Sequence, residues 1–249
     1  MTNRCKALMR QIICFSSQKG NLSELLGAWV RIMKPCRADW LSVLKELKTM
    51  DHPLYLEVAK LALLEESFET NIRDYTKIIH SYGKQNRLKD AENTLSDMKR
   101  SGFICDQVTL TAMVDMYSKA GHLEQAKEYF DEIKLLGQPF AAISPDDKIC
   151  GLLINAYGKA GQSQKARVAF ENMRRAGIEP SDKCIALTLA AYEKESKLNK
   201  ALKFLIDLEK DGIMVGKEAS EILSKWFRRL GVVEEVELVL REYTAAKPV

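Results

Sequence analysis

The sequence repeats itself over most of its length with a period of 35 residues. Each copy carries a tyrosine, a lysine two residues later, an alanine seven residues after the lysine and a glycine eleven residues after the alanine. The lysines of the four copies are Lys84, Lys119, Lys159 and Lys194, at intervals of 35, 40 and 35 residues. Chance does not hold four landmarks in register through four copies, so the pattern indicates an array of stacked structural units.

Within each copy the apolar residues follow helical spacing. The two apolar stripes of the first copy are Tyr75, Ile78, Ile79 and Tyr82, and Leu88, Ala91, Leu95 and Met98. Each copy is therefore predicted to be two helices, which cross at the small alanine and end at a glycine in the left-handed conformation. One helix pair cannot bury both stripes, so the units must stack. The predicted fold class is an all-α solenoid of helix-turn-helix repeats that forms a right-handed superhelix.

The phase of the repeat divides the chain into segments. They are 1–20, an N-terminal segment; 21–36, with a helix over Leu22 to Met33; 37–71, a degenerate repeat; 72–106, 107–146, 147–181 and 182–216, four good repeats; and 217–249, a degenerate capping repeat and tail. A five-residue loop insertion after Gly137 explains the longer second repeat. In the capping repeat, Trp226 and Phe227 are expected to be exposed at the end of the solenoid and to form a protein interface.

Positive charge is concentrated near the start of the chain. Residues 1–36 carry a net charge of +5 and the whole chain +4, so the body can bind anions only through a local basic stripe. Residues 1–20 contain four basic residues and no acidic one, a composition typical of an organellar transit peptide. The alternatives are a basic arm that contacts an anionic partner and a helix from Leu8 to Phe15 that is kept in the mature protein.

Residues that could carry catalysis or bind metal form no pattern. The six cysteines are scattered without a Cys-x-x-Cys pair, and the three histidines have no repeating carboxylate or cysteine partner, so we expect reduced thiols and no metal. No phosphate-binding loop, nucleophile elbow or zinc signature occurs. No apolar run approaches the roughly 18 residues that a membrane span needs. The sequence therefore predicts neither an enzyme nor a cofactor, and no membrane partner.

Two stretches resemble the pentatricopeptide repeat of the P type. They are Val108-Thr109-Leu110-Thr111 with Tyr117-Ser118-Lys119-Ala120-Gly121, and Asn155-Ala156-Tyr157-Gly158-Lys159-Ala160-Gly161 continuing to Pro180. The whole chain is similar to the thylakoid-assembly group of small plant pentatricopeptide proteins, a similarity carried by Met50 to Val58. This resemblance implies a chloroplast protein in group II intron splicing, with the mitochondrion as the alternative location. It also implies other splicing factors as partners, and a homodimer is a further alternative.

The resemblance implies that single-stranded RNA runs along the first helices and that each repeat meets one base. The implied base-reading residues, at the fifth and last positions of each repeat, are Thr76, Asp106, Thr111, Asp146, Gly151, Ser181, Ala186 and Gly216. The implied base-packing residues are Arg73, Val108, Lys148 and Lys183. The implied phosphate contacts are Lys84, Lys119, Lys159 and Lys194. Unpaired bases expose edges and faces that such a modular array can contact one by one.

In this family a threonine with an aspartate favours guanine, so the first two repeats predict two adjacent guanines. The third and fourth repeats supply no strong pair of hydrogen-bonding groups. Other interpretations of these residues remain open. Asp106 and Asp146 would cap helices in any protein, and lysines near helix C-termini are favoured by the helix dipole. The recurring tyrosines are better explained as core residues than as a stacking ladder, because they lie on the apolar stripe.

A helical-repeat scaffold for protein interactions is the alternative function, either a peptide-binding protein of the tetratricopeptide kind or an accessory splicing subunit. Tetratricopeptide repeats have 34 residues and a different motif. The period of 35 residues and the aspartate before the next repeat favour the pentatricopeptide interpretation.

Overall fold

The structure is a computed structural model that describes residues 2–15, 20–136 and 146–231. Within these ranges every regular element is helical. The helices are α1 (Asn3–Ile13), α2 (Leu22–Met33), α3 (Arg37–Thr49), α4 (Tyr55–Ala62), a 3₁₀ helix (Glu66–Phe68), α5 (Ile72–Lys84), α6 (Leu88–Arg100), α7 (Gln107–Ala120), α8 (Leu123–Leu136), α9 (Asp147–Lys159), α10 (Ser163–Arg175), α11 (Asp182–Lys194), α12 (Leu198–Lys210) and α13 (Lys217–Arg229). The insertion predicted after Gly137 and the end of the capping repeat lie outside the described residues.

The chain forms two compact units, Met1–Ala112 and Met113–Val249, and the boundary between them falls within α7. In the first unit α3 packs against α4, α4 against α5, and α5 against α6. In the second unit α9 packs against α10 and α11, and α11 packs against α12 and α13. In the second unit α9 and α11 thus each contact their own partner and the first helix of the next pair, which is the stacking expected of a helical-repeat array. No described helix has the length and apolarity needed to cross a membrane.

The repeated alanines and tyrosines are buried, and the repeated glycines that the structure describes follow the second helices with positive φ. The four alanines are fully buried: Ala91, Ala126, Ala166 and Ala201. The four tyrosines are at most 5% exposed, which confirms that they are core residues: Tyr82, Tyr117, Tyr157 and Tyr192. Gly102, Gly177 and Gly212 follow second helices with φ between 71° and 82°, a left-handed conformation in which glycine meets no Cβ clash.

The turn inside each good repeat also passes through a residue with positive φ. This residue is Gly121 in the second repeat and Gly161 in the third, with φ of 80° and 67°. In the first and fourth repeats it is Asn86 and Ser196, with φ of 56° and 55°. The same backbone turn is therefore built with and without glycine.

The start of the chain, predicted as a transit peptide or basic arm, contains a packed helix. The residues that α1 buries completely are Cys5, Leu8 and Ile12. The Trp29 Nε1–H of α2 donates to the Arg4 carbonyl oxygen at 3.3 Å, and the Arg4 guanidinium pairs with Asp39 of α3 at 2.7 Å. Residues 3–13 therefore do not form a free arm in this structure. A targeting role for 1–20 stays a prediction.

The aromatic pair of the capping repeat is buried. Trp226 is 4% exposed and Phe227 is 8% exposed, on a helix that packs against α11. The expectation that these two residues form an exposed interface is wrong. They lie on the apolar face of α13, which packs against α11.

Candidate nucleic-acid interface

The first predicted base-reading pair, Thr76 and Asp106, is joined by a third residue, Thr109. The Thr109 backbone N–H and hydroxyl both donate to Asp106 Oδ1, at 2.8 and 2.7 Å. The Thr76 Oγ lies 2.7 Å from the Thr109 Oγ and 2.9 Å from the Ile72 carbonyl oxygen. The Thr109 proton goes to Asp106, and the single Thr76 proton goes either to the Ile72 carbonyl oxygen or to the Thr109 Oγ, so both hydroxyl protons are used within the protein. The fixed hydroxyl of Thr76 and the carboxylate of Asp106 then offer mainly acceptor lone pairs to a ligand.

The base-packing residues beside this pair are accessible. Arg73 precedes Thr76 by one helical turn on α5 and is exposed. Val108 precedes Thr111 by the same spacing on α7, and 64% of its surface is exposed. Lys148 and Lys183 of the second unit are exposed as well.

The two residues of the second predicted pair, Thr111 and Asp146, each make a hydrogen bond to the backbone of their own helix. Thr111 is half-buried, and its hydroxyl donates to the Gln107 carbonyl oxygen at 2.6 Å. Asp146 is exposed and caps α9, accepting the Ile149 backbone N–H at 2.9 Å. Both aspartates thus act as helix caps, as the alternative interpretation of the sequence had it.

The fifth positions of the third and fourth repeats are buried, which corrects their predicted role. Ala186 is 4% exposed, and Gly151 is buried where a Cβ would lie 3.5 Å from the Cys184 Sγ. Neither offers a group to a base. A Cβ at Gly151 would be in van der Waals contact with Cys184 and Leu187 of α11, so this position faces the neighbouring helix.

The last positions of these two repeats are held by an aspartate at the first position of the same repeat. Asp147 Oδ1 accepts the Ser181 hydroxyl at 2.8 Å and the Cys184 thiol at 3.0 Å. Burial opposes ionisation of Asp147, but these hydrogen bonds outweigh it and lower its pKa. Asp182 accepts the Gly216 backbone N–H at 2.8 Å, and a Cβ at Gly216 would lie 2.5 Å from the Asp182 Cγ.

The four predicted phosphate lysines are all exposed, but their surroundings differ. The Lys119 ammonium pairs with Asp115 one turn earlier, at 2.5 Å. The Lys194 ammonium donates to the Lys159 carbonyl oxygen, which bridges the ends of α11 and α9. Neither contact buries the charge. In the described part of the chain, no group of three acidic, cysteine or histidine side chains is placed to hold a metal ion.

Comparisons with known proteins identify the family of this chain. The sequence profile of the PPR repeat family matches residues 71–119, and that of the PPR repeat matches residues 108–138 and 149–178. A pentatricopeptide repeat-containing protein of Arabidopsis thaliana is 52% identical over 312 residues, covering 99% of this chain and 76% of the relative. The chain belongs to the pentatricopeptide repeat family.

Solved structures show that the chain has the fold of a pentatricopeptide repeat solenoid. The pentatricopeptide repeat protein PPR10 in complex with an 18-nucleotide psaJ RNA element matches with a TM-score of 0.66 and 22% identity, over 98% of this chain and 35% of that one. The nuclear proteinaceous RNase P 2 of Arabidopsis thaliana matches with a TM-score of 0.61 and 15% identity, over 77% of this chain and 42% of that one. The all-α solenoid prediction is confirmed. The handedness of the superhelix stays a prediction.

Three residues that support the predicted base-reading positions are not among the residues predicted from the sequence: Thr109, Asp147 and Asp182. Each bonds to a predicted base-reading position, so each holds that position in place. Thr109 had a local signal, since Asp106-x-x-Thr109 is a capping sequence. Asp147 and Asp182 act across a whole repeat, from its first residue to its last, and local patterns do not register such a contact.

Proposed function

We propose that this pentatricopeptide repeat protein binds single-stranded RNA sequence-selectively, without catalysis, in a plant organelle. The site of action is the chloroplast, and the process is RNA processing in the form of group II intron splicing. Binding keeps an intron segment single-stranded and available to other splicing factors. The PPR10 neighbour in complex with an RNA element supports the RNA partner.

The observation that carries the proposal is the hydrogen-bonded set Thr76, Thr109 and Asp106 between exposed Arg73 and Val108. Both hydroxyl protons of this set are used within the protein before any ligand arrives, which leaves acceptor lone pairs on Thr76 and Asp106. The Watson–Crick edge of guanine carries adjacent N–H donors at N1 and N2, and an unpaired guanine can turn that edge toward the protein. The acceptor character of this site therefore favours guanine over uracil, whose single N3–H donor lies between two acceptor oxygens.

Fluorescence anisotropy with labelled oligonucleotides tests the proposal. We expect a uridine-rich strand containing GG to bind at least about 30-fold more tightly than its GG-to-UU variant, since each of the two base contacts contributes about 1–3 kcal/mol. The GG strand should also bind more tightly than the same sequence in a duplex. Thr76→Asn and Asp106→Asn should each change the preferred base more than they change the affinity for the best strand.

Ser96→Asn is the matched control, because Ser96 is an exposed polar residue on α6 of the same repeat. It should leave base preference unchanged. Equal affinity for the duplex and the single strand would refute the proposal. For the cellular role, crosslinking in the organelle and sequencing of bound transcripts should recover intron sequence, and recovery of exon or ribosomal RNA alone would refute splicing.

A further inference from the structure

The first unit contains a cavity of about 330 Å³ in the degenerate repeat that precedes Thr76. Its walls come from α3, α4 and α5, and most of its lining is apolar. Its lining includes Leu41 and Leu44 of α3, Tyr55 of α4, Phe68 of the 3₁₀ helix and Ile78 of α5. Its volume lies at the small end of the range for ligand sites, roughly 300 to 1,000 Å³, and is compatible with one nucleotide.

Three lysines surround this apolar cavity: Lys45, Lys48 and Lys77. Asp74 is the one acidic residue in its lining, and its carboxylate is engaged by the Arg37 guanidinium at 2.6 Å. No acid of the lining is therefore left to neutralise the lysines. The combination of an apolar base with uncompensated positive charge at the rim is complementary to a planar base carrying a phosphate.

The cavity adjoins the base-reading site along α5. Lys77 follows Thr76 directly, and it shares a helix face with Arg73 and Lys84, four residues before it and seven after it. On α3 the same spacing places Leu41, Lys45 and Lys48 on one face. Leu41 occupies the fifth position of the degenerate repeat, where the next repeat has Thr76. An apolar side chain thus stands where the first two good repeats have a threonine.

We propose that this cavity binds one nucleotide of the RNA strand next to the guanine contacted by Thr76. The base enters between Leu41 and Ile78 and stacks on Tyr55, and its phosphate lies against Lys45 and Lys77. The Lys48 ammonium, 6.0 Å from the centre of the Tyr55 ring, holds the rim positive. With no polar side chain at the fifth position, the site accepts any base. This inference rests on the proposed RNA-binding function and adds a sequence-independent contact to it.

The test compares intact strands with strands that lack a single base. Anisotropy titrations use GG-containing strands with an abasic nucleotide at the first or second position on either side of GG. An abasic nucleotide keeps the phosphate and removes only the base. We expect one flanking position at which the abasic strand binds the natural chain at least about five-fold more weakly, the lower end of what base stacking contributes.

Protein variants then assign that effect to the cavity. Leu41→Gln should weaken binding of the intact strand and abolish the difference between intact and abasic strands. Leu41 is 38% exposed, so the variant should fold, and thermal unfolding checks this. Lys48→Ala should weaken binding of intact and abasic strands alike. Lys89→Ala, an exposed lysine on α6 of the same unit, is the matched control and should change neither.

The outcomes separate this inference from the proposed function. If GG strands bind selectively but no flanking abasic site matters, the cavity is not a nucleotide site and the proposed function stands. If the abasic effect persists at full size in Leu41→Gln, the base is bound elsewhere and the inference is wrong. If an acidic peptide displaces the strand from the natural chain but not from Lys48→Ala, the cavity serves a protein partner. If no single strand is preferred over a duplex, the proposed function fails first.

Discussion

Asp106 accepts two hydrogen bonds through a single oxygen, Oδ1, one from the helix backbone and one from a threonine hydroxyl. Capping α7 therefore uses only part of the acceptor capacity of the carboxylate, which has about four lone-pair sites. The sequence left helix capping and base reading as alternatives for this residue. The geometry makes them compatible, because the cap leaves acceptor capacity on the carboxylate.

Asp39 on α3 also accepts several hydrogen bonds, although no ligand is proposed for it. It is 3% exposed and accepts the Cys36 backbone N–H at 3.1 Å, and Arg4 pairs with it at 2.7 Å. Burial opposes its ionisation, but the hydrogen bonds from Cys36, Cys5 and Thr2 prevail and lower its pKa to about 2.

Asp39 should make stability depend on pH in the acid range. Its carboxylate contributes about 2 kcal/mol above the unfolded-state pKa, and this contribution is lost as pH falls toward the folded-state pKa. In urea unfolding, the stability difference between the natural chain and Asp39→Asn should shrink by about 1 kcal/mol between about pH 6 and about pH 3. Glu24→Gln, an exposed acid in the same unit, is the control. A difference that is constant with pH would contradict this assignment.

At the scale of elements, helical periodicity was enough to place the hairpins. The first helices begin at Ile72, Gln107, Asp147, Asp182 and Lys217, the residues from which the repeats were counted. Periodicity could not say which fifth positions face outward, because Gly151 and Ala186 are buried by a neighbouring helix and not by their own sequence. The expectation that Trp226 and Phe227 are exposed came from a different argument, because a degenerate last repeat resembles the uncovered end of an array.

The turn between the two helices of a repeat offers a direct test of the backbone geometry. Ser196 has a φ of 55° and is exposed, whereas Gly161 occupies the equivalent turn with a φ of 67°. Ser196→Gly should stabilise the chain by about 0.5–1 kcal/mol in urea unfolding, because the left-handed conformation costs a non-glycine residue more than glycine loses in entropy. The reciprocal Gly161→Ser should destabilise by a similar amount. Destabilisation by Ser196→Gly would show that the two turns are not equivalent.

At the scale of the whole molecule, charge is distributed unevenly. Residues 1–36 carry a net charge of +5 and the whole chain +4, so residues 37–249 sum to −1, and Arg4 of α1 pairs with Asp39 of α3. The basic groups proposed to meet a bound strand are the exposed lysines of the first helices. Composition predicted this local stripe, but not that Lys119 and Lys194 already have partners within the protein.

The salt dependence of RNA binding should reflect that small number of phosphate contacts. Four lysines, together with the phosphate proposed to lie against Lys45 and Lys77, give a slope of about −3 to −3.5 for log affinity against log salt concentration, at roughly −0.7 for each phosphate neutralised. Lys84→Ala should reduce the slope by about 0.7 and leave base preference unchanged. Anisotropy titrations over a series of KCl concentrations measure both. A slope steeper than about −6 would mean that the strand contacts basic groups beyond this set.

The contact between Asp182 and Gly216 has a consequence for reprogramming this protein toward new transcripts. Installing a threonine and an aspartate at the fifth and last positions of the fourth repeat would be the obvious way to add a third guanine. Any side chain at 216 meets the Asp182 carboxylate, however, and a second carboxylate there adds repulsion to the clash. The residue at 182 would have to be replaced first. Changing the base that this repeat recognises therefore requires several coordinated substitutions.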